Sequence, residues 1–353
     1  MTVRMAVLAA TLCAALSCSV AAAETDECYA SLEEQKYARA YPACKAQCEA
    51  SQGFACAAMG FILENGAEIR RDLRRAAKYY HQACELRNGW GCFGLGLMQE
   101  TGRGVLENQE LAAKYYRFGC DLNSDRSCTG LGRLFLDGRG AKKNVLQALK
   151  HFRKGCDLGD GLGCVMLGYI YLTGEGVSFR NFQMAYEYLK RGCDRNDGSG
   201  CTGLGIMFHN GLGVSRDMSR AESYYRQGCD LKDGGGCSAL GFLFKYGLAS
   251  SQDSRQAAVF YQKGCSLDNW EGCFELARLF ESGAGVAQSR DSAARYYGRA
   301  CDHDHADGCI RLAAMHISEY ASKTGLNGAK KLFDKACGMG ECFGSEFYRH
   351  LVR

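Results

Sequence analysis

Cysteine recurs in this chain at a fixed interval, and that interval constrains the fold more than any other feature. Cys48, Cys84, Cys120, Cys156, Cys193, Cys229, Cys265, Cys301 and Cys337 follow one another at 36 residues, with one step of 37 into Cys193. Each but the last has a partner eight residues on, namely Cys56, Cys92, Cys128, Cys164, Cys201, Cys237, Cys273 and Cys309, and the last pairing shortens to Cys342. Self-similarity at such a period is the mark of a repeat architecture. Eight residues along one straight helix span about 12 Å. A disulfide tolerates at most roughly 7 Å between Cα atoms, so a turn must lie between the partners. Asn88-Gly89, Gly159-Asp160-Gly161, Asp197-Gly198 and Asp233-Gly234-Gly235 supply it. Each bridge would then staple the end of one repeat's second helix to the start of the next repeat's first, worth roughly 2 to 3 kcal/mol for so short a loop.

Each repeat reads as two helices. After Cys92, Leu95, Met98 and Gln99 continue one helical face, and Thr101-Gly102-Arg103-Gly104-Val105 interrupts it with two glycines. Ala112, Ala113, Tyr115, Tyr116 and Cys120 then recur at helical spacing. Other repeats carry Leu131-Gly132, Leu167-Gly168, Leu204-Gly205 and Leu240-Gly241 on the first helix, and Tyr79-Tyr80, Tyr224-Tyr225, Phe260-Tyr261 and Tyr296-Tyr297 on the second. A glycine inside a helix costs about 1 kcal/mol against alanine. These glycines are therefore expected where another backbone comes close, and the aromatic pairs partly in the core and partly on the outer wall.

Residues 1–23 read as a secretory signal peptide: Arg4 opens it, Met5 to Leu16 is apolar, and Ala21-Ala22-Ala23 closes it. The apolar run is shorter than the about 20 residues a bilayer span needs, so no transmembrane segment is expected. Lipid anchoring at Cys18 is disfavoured by the poor motif Ala15-Leu16-Ser17. Removing the signal takes Cys13 and Cys18 from the 22 cysteines and lowers the formal charge from +4 to +3, with both signs interspersed, so nothing argues for nucleic acid. An even set of cysteines in an exported chain reads as a disulfide framework in an oxidising, periplasmic or secreted location. Residues 24–48 read as a capping hairpin in which Cys28 and Cys44 pair by elimination, 49–337 as eight repeats, and 338–353 as a closing helix. The Ser318 to Gly328 segment lacks the usual glycine turn, as terminal repeats often do. The fold expected is all-α, a right-handed α/α solenoid of helical hairpins with one disulfide per repeat.

Ala57-Ala58-Met59-Gly60 and the run Leu204-Gly205-Ile206-Met207-Phe208-His209-Asn210-Gly211-Leu212-Gly213-Val214, followed by Ala221 and Tyr224-Tyr225, resemble Sel1-like repeats, relatives of tetratricopeptide repeats. With a cysteine pair eight apart in every repeat, the chain resembles the Helicobacter cysteine-rich protein family. It departs from that pattern at Ser127, where glycine is usual, and at Gly247-Leu248-Ala249-Ser250, which lacks the second glycine. The resemblance implies two classes of function: penicillin binding with weak β-lactamase activity, toward β-lactam or peptidoglycan-like ligands, or a scaffold for a protein or peptide.

A serine β-lactamase needs a serine three residues before a lysine, and no Ser-x-x-Lys occurs. Lys323-Thr324-Gly325 matches a further element of that set but stands without the nucleophile. Asp302-His303-Asp304-His305 carries metal-ligand chemistry, though alternate residues of a short loop more often face water, and no metal or cofactor is expected. Pairing every cysteine leaves no thiol nucleophile. Positions one, five and eight after the second cysteine vary between repeats and share a helical face. They include Phe93 and Leu97, Thr129 and Leu136, Thr202, Ser238, and Leu172. From this set Arg133, Tyr169, His209, Lys245 and Arg278 are the candidate ligand-binding residues. The reading is an exported scaffold that binds a protein or peptide along a concave face lined by first helices, with the weak hydrolase as the alternative.

Overall fold

The structure is a computed structural model and describes residues 27–66, 68–248, 251–319 and 323–341, so the signal region, Cys342 and the closing helix lie outside it. Among these residues every regular element is a helix. Residues 27–33 form α1, followed by α2 Tyr37–Glu49, α3 Gly53–Asn65, α4 Leu73–Glu85, α5 Gly89–Thr101, α6 Gln109–Asp121, α7 Asp125–Asp137, α8 Val145–Leu158 and α9 Gly161–Thr173. Then come α10 Phe182–Asp194, α11 Gly198–Asn210, α12 Met218–Asp230, α13 Gly234–Tyr246, α14 Ser254–Ser266, α15 Trp270–Ser282, α16 Arg290–Asp302, α17 Ala306–Glu319 and α18 Lys323–Gly338. They group into two compact bodies, residues 1–163 and 164–353. In the first, α3/α4, α5/α6 and α7/α8 are hairpins stacked in order; in the second, α11/α12, α13/α14, α15/α16 and α17/α18 follow α10 in the same way. No helix among the described residues is long and apolar enough to cross a membrane.

Helix boundaries follow from side-chain caps. Asn88, Ser124, Asp197, Asp233 and Asn269 each accept a backbone N–H of the first helix they open. Asp72, Asn108, Asn144, Asn181, Asp217, Asp253 and Ser289 do the same for second helices. Such a cap is worth about 1 kcal/mol. The corner between repeats is therefore built differently from the expectation. The left-handed residue is Arg87, Asn196 or Lys232, with φ of 59°, 62° and 65°, one position before Asn88, Asp197 and Asp233, whose side chains are committed to capping. Only at Gly159, φ 124°, does the expected glycine itself turn the chain.

Across seven corners the bridged cysteines lie 4.5 to 4.6 Å apart at Cα, in Cys48–Cys56, Cys84–Cys92, Cys120–Cys128, Cys193–Cys201, Cys229–Cys237, Cys265–Cys273 and Cys301–Cys309. Cys28–Cys44 joins α1 to α2 at 4.9 Å. Cys156, Cys164 and Cys337 are also disulfide-bonded.

The sequence reading expected another backbone against the glycine after the first-helix leucine, and only Gly168 comes near that, where a Cβ would lie 2.6 Å from Leu189 Cγ and 3.1 Å from the Leu189 backbone nitrogen. In the other repeats the glycine at this place makes room for a ring. A Cβ on Gly60, Gly96, Gly132, Gly205 or Gly241 would lie 2.5 to 2.7 Å from a ring carbon of Tyr80, Tyr116, Phe152, Tyr225 or Tyr261. The next repeat's Gly94 and Gly130 close over the other side of Tyr80 and Tyr116. Backbone does approach backbone at the glycine before the second cysteine, where a Cβ on Gly91, Gly200 or Gly236 would sit 2.6 to 3.0 Å from the amide nitrogen of the bridged partner. Ser127 fits that position because Gly119 stands opposite: a Cβ on Gly119 would come within 2.3 Å of the serine Oγ.

Candidate functional site

Each second aromatic of a pair is buried: Tyr80, Tyr116, Tyr225, Tyr261 and Tyr297 are at most 3% exposed. Burial pushes all five phenols upward in pKa, and a buried hydroxyl needs a partner. In three repeats the partner is the glutamate eight residues after the second cysteine. Tyr80 donates to Glu64 at 2.8 Å, Tyr116 to Glu100 at 2.8 Å and Tyr297 to Glu281 at 2.6 Å. In a fourth, the Tyr225 hydroxyl lies 3.4 Å from Nδ1 of His209. Where the buried aromatic is Phe152 or the equivalent residue is Leu189, the same first-helix position holds Leu136 or Leu172. The variation that marked this position as a surface is thus matched to a partner in the second helix. Its neighbour one residue back obeys a similar rule, with Phe135 stacked on His151, Tyr171 on Tyr188, Phe208 on Tyr224, Phe244 on Phe260 and Phe280 on Tyr296 at 5.4 to 5.9 Å.

The five candidate residues fare unequally. Arg133 lies in the N-terminal body, where its guanidinium bonds Glu100 Oε1 at 2.7 Å beside Arg139 at 3.2 Å. Tyr169 donates to the Ser199 carbonyl at 3.2 Å, and burial first, with Asp233 and Asp197 nearby, pushes its phenol up to about 12. His209 is committed to Tyr225 and packs 5.9 Å from the Phe242 ring; burial, then Arg216, lowers its imidazole. Lys245 and Arg278 are brought together by Glu275, which both contact, on the wall of a cavity of about 420 Å³ with Tyr246, Glu281 and Arg311. Three polar residues one position after the second cysteine are buried, whereas Phe93, at the same place after Cys92, stays partly exposed. Thr129, Thr202 and Ser238 are at most 7% exposed because they fill the space left by paired glycines of the next corner: Gly155 and Gly163, Gly228 and Gly236, Gly264 and Gly272. The histidines of Asp302-His303-Asp304-His305 are engaged elsewhere, His303 stacked on Trp270 at 3.6 Å and His305 bonded to Glu271 at 3.0 Å. No group of three or more potential metal ligands occurs among the described residues. The side chains of Lys323, Thr324 and Gly325 lie outside the described residues.

The face that does open to solvent in the N-terminal body is set by positions two before and five after the second cysteine, seven residues apart and so on one side of a helix. They are Phe54 and Phe61 on α3, Trp90 and Leu97 on α5, and Arg126 and Arg133 on α7. The reading that began counting at the cysteine missed Phe54, Trp90, Arg126 and Leu162, although the same residue-type variation was there to be seen. Tyr29, Phe54, Trp90 and Phe61 form a chain of rings with centroids 5.7 to 5.8 Å apart. Beside it, Phe61, Glu64, Trp90, Phe93, Leu97 and Arg126 line a cavity of about 530 Å³. A second, of about 250 Å³, is lined by Phe93, Leu97, Arg126, Arg133, Asp160 and Leu162. The two share Phe93, Leu97 and Arg126 and form one continuous groove.

A family model for the Sel1 repeat matches residues 53–88, 91–124, 125–160, 161–197, 198–233, 236–269 and 270–305. No curated protein matches the chain. Among solved structures, a Sel1 repeat protein from Oxalobacter formigenes is similar over 69% of this chain and 98% of its own, at 25% identity and TM-score 0.61. A protective antigen of uropathogenic Escherichia coli with an SLR fold is similar over 91% of this chain and 71% of its own, at 24% identity and TM-score 0.56. Cysteine-rich protein B of Helicobacter pylori is 28% identical over 36% of this chain and 91% of its own, at TM-score 0.31. Seven consecutive matched repeats make this chain a member of the Sel1 repeat family.

Proposed function

We propose that the chain is an exported repeat scaffold, with a further hairpin α17/α18 beyond the seven matched repeats, that captures a protein or peptide segment on the first-helix groove of its N-terminal body. The observation that carries the reading is the pair of adjoining cavities lined by Phe61, Trp90, Phe93 and Leu97. Aromatic side chains set in a groove with charged residues beside them are the usual source of peptide-binding energy. Export is supported by the dense bridging, since disulfides persist in oxidising compartments. Selection of phage-displayed octapeptides on the oxidised protein tests the reading. Selected peptides should slow amide exchange in α3, α5 and α7 and should lose at least about tenfold in affinity when Trp90→Ala removes the central ring. No enrichment, or protection confined to other helices, would refute it.

A further inference from the structure

Charge on this groove is unevenly satisfied. Glu64 is held by Tyr80 and by Arg103 at 3.0 Å, and Glu100 by Tyr116, Arg133 and Arg139. Asp125 turns back to its own helix, accepting the Arg126 amide at 2.7 Å, and Asp160 immediately precedes α9, whose N-terminus offsets its charge. Arg126 is different. Its side chain is exposed and forms no ion pair among the described residues, yet it stands on the wall common to both cavities, next to Phe93 and Leu97.

We propose that Arg126 makes this groove selective for an extended segment with an acidic side chain between two bulky apolar ones. The inference rests on the peptide-binding reading and adds the chemistry of the occupant. Packed helices centre about 8 to 10 Å apart, and an extended chain advances about 3.3 Å per residue. Side chains about three residues apart therefore reach adjoining cavities, and a carboxylate on the residues between them falls beside the shared wall. There the arginine fork can hold it with charge-assisted hydrogen bonds, on a surface whose apolar lining lowers the competition from water.

Repeating the octapeptide selection on Arg126→Glu tests this. On the wild-type protein the selected sequences should carry Asp or Glu between two apolar residues; on Arg126→Glu the same place should change to Lys or Arg. Changing the acid to its amide in a selected peptide should weaken binding to the wild-type protein by about tenfold or more, the range of a lost charge-assisted bond, and should leave binding to an Arg126→Gln variant unchanged. The melting temperature of Arg126→Glu should match the wild type, because this exposed guanidinium forms no ion pair among the described residues. Apolar peptides selected with no acidic preference, or a preference that does not invert, would overturn the inference and leave the groove reading standing. Failure to select any peptide would overturn both.

Discussion

At the scale of single residues, the informative unit is a pair sixteen apart. Glu100 is 6% exposed and is tolerable there only because it accepts from Tyr116 and faces two guanidinium groups. The following repeat replaces both partners at once, with Leu136 and Phe152. Removing one partner leaves a buried polar group unsatisfied, whereas removing both need not. Glu100→Leu and Tyr116→Phe should each cost about 1 to 3 kcal/mol, and the double variant less than their sum by about 1 kcal/mol. Urea denaturation of the four proteins measures it, and strict additivity would count against the coupling. Tyr261 is the exception within the set: its hydroxyl is buried with no partner, since Lys245 turns to Glu275 instead.

At the scale of helices, the disulfide register, the hairpins and the ring pairs were legible because each is a pattern of residue type at fixed spacing. What was not legible is which face of a first helix meets what. Position eight looked like solvent-facing variation because its partner sits in the other helix, and Thr129, Thr202 and Ser238 looked like surface because the glycines they fill lie in the next repeat. Phe54 and Trp90 escaped notice by preceding the cysteine from which the face was counted. The ring slot follows the same logic. Gly96→Ala should gain about 1 kcal/mol of helix propensity yet lose about 1 to 3 kcal/mol by displacing the Tyr116 ring. The repeat with Ala277 has already repacked around Tyr297, both fully buried, so Ala277→Gly should lose only about 1 kcal/mol. Amide exchange in α5/α6 and in α15/α16 reads the two outcomes; a net gain of about 1 kcal/mol from Gly96→Ala, the propensity gain alone, would mean the slot is not what selects glycine.

At the scale of the whole chain, the described contacts are overwhelmingly between a helix and the next one or two along the sequence, in each body separately. Local contacts favour fast folding, and a repeat protein's stability is a sum over neighbours rather than one cooperative quantity. The eight-residue bridges carry the same locality into oxidation chemistry. A cysteine such as Cys56 has Cys48 eight residues behind it and Cys84 twenty-eight ahead, and the longer closure costs about 1 kcal/mol more in chain entropy. The correct partner is also the one that emerges first when synthesis runs from the N-terminus. Reduced, unfolded protein diluted into a glutathione buffer should therefore regain its native crosslinks without an added isomerase, as peptide mapping would read. Scrambled long-range pairs as the main product would show that sequence proximity does not steer the thiols. A protein wired in this manner proofreads its covalent connectivity simply by the order in which its sulfurs appear.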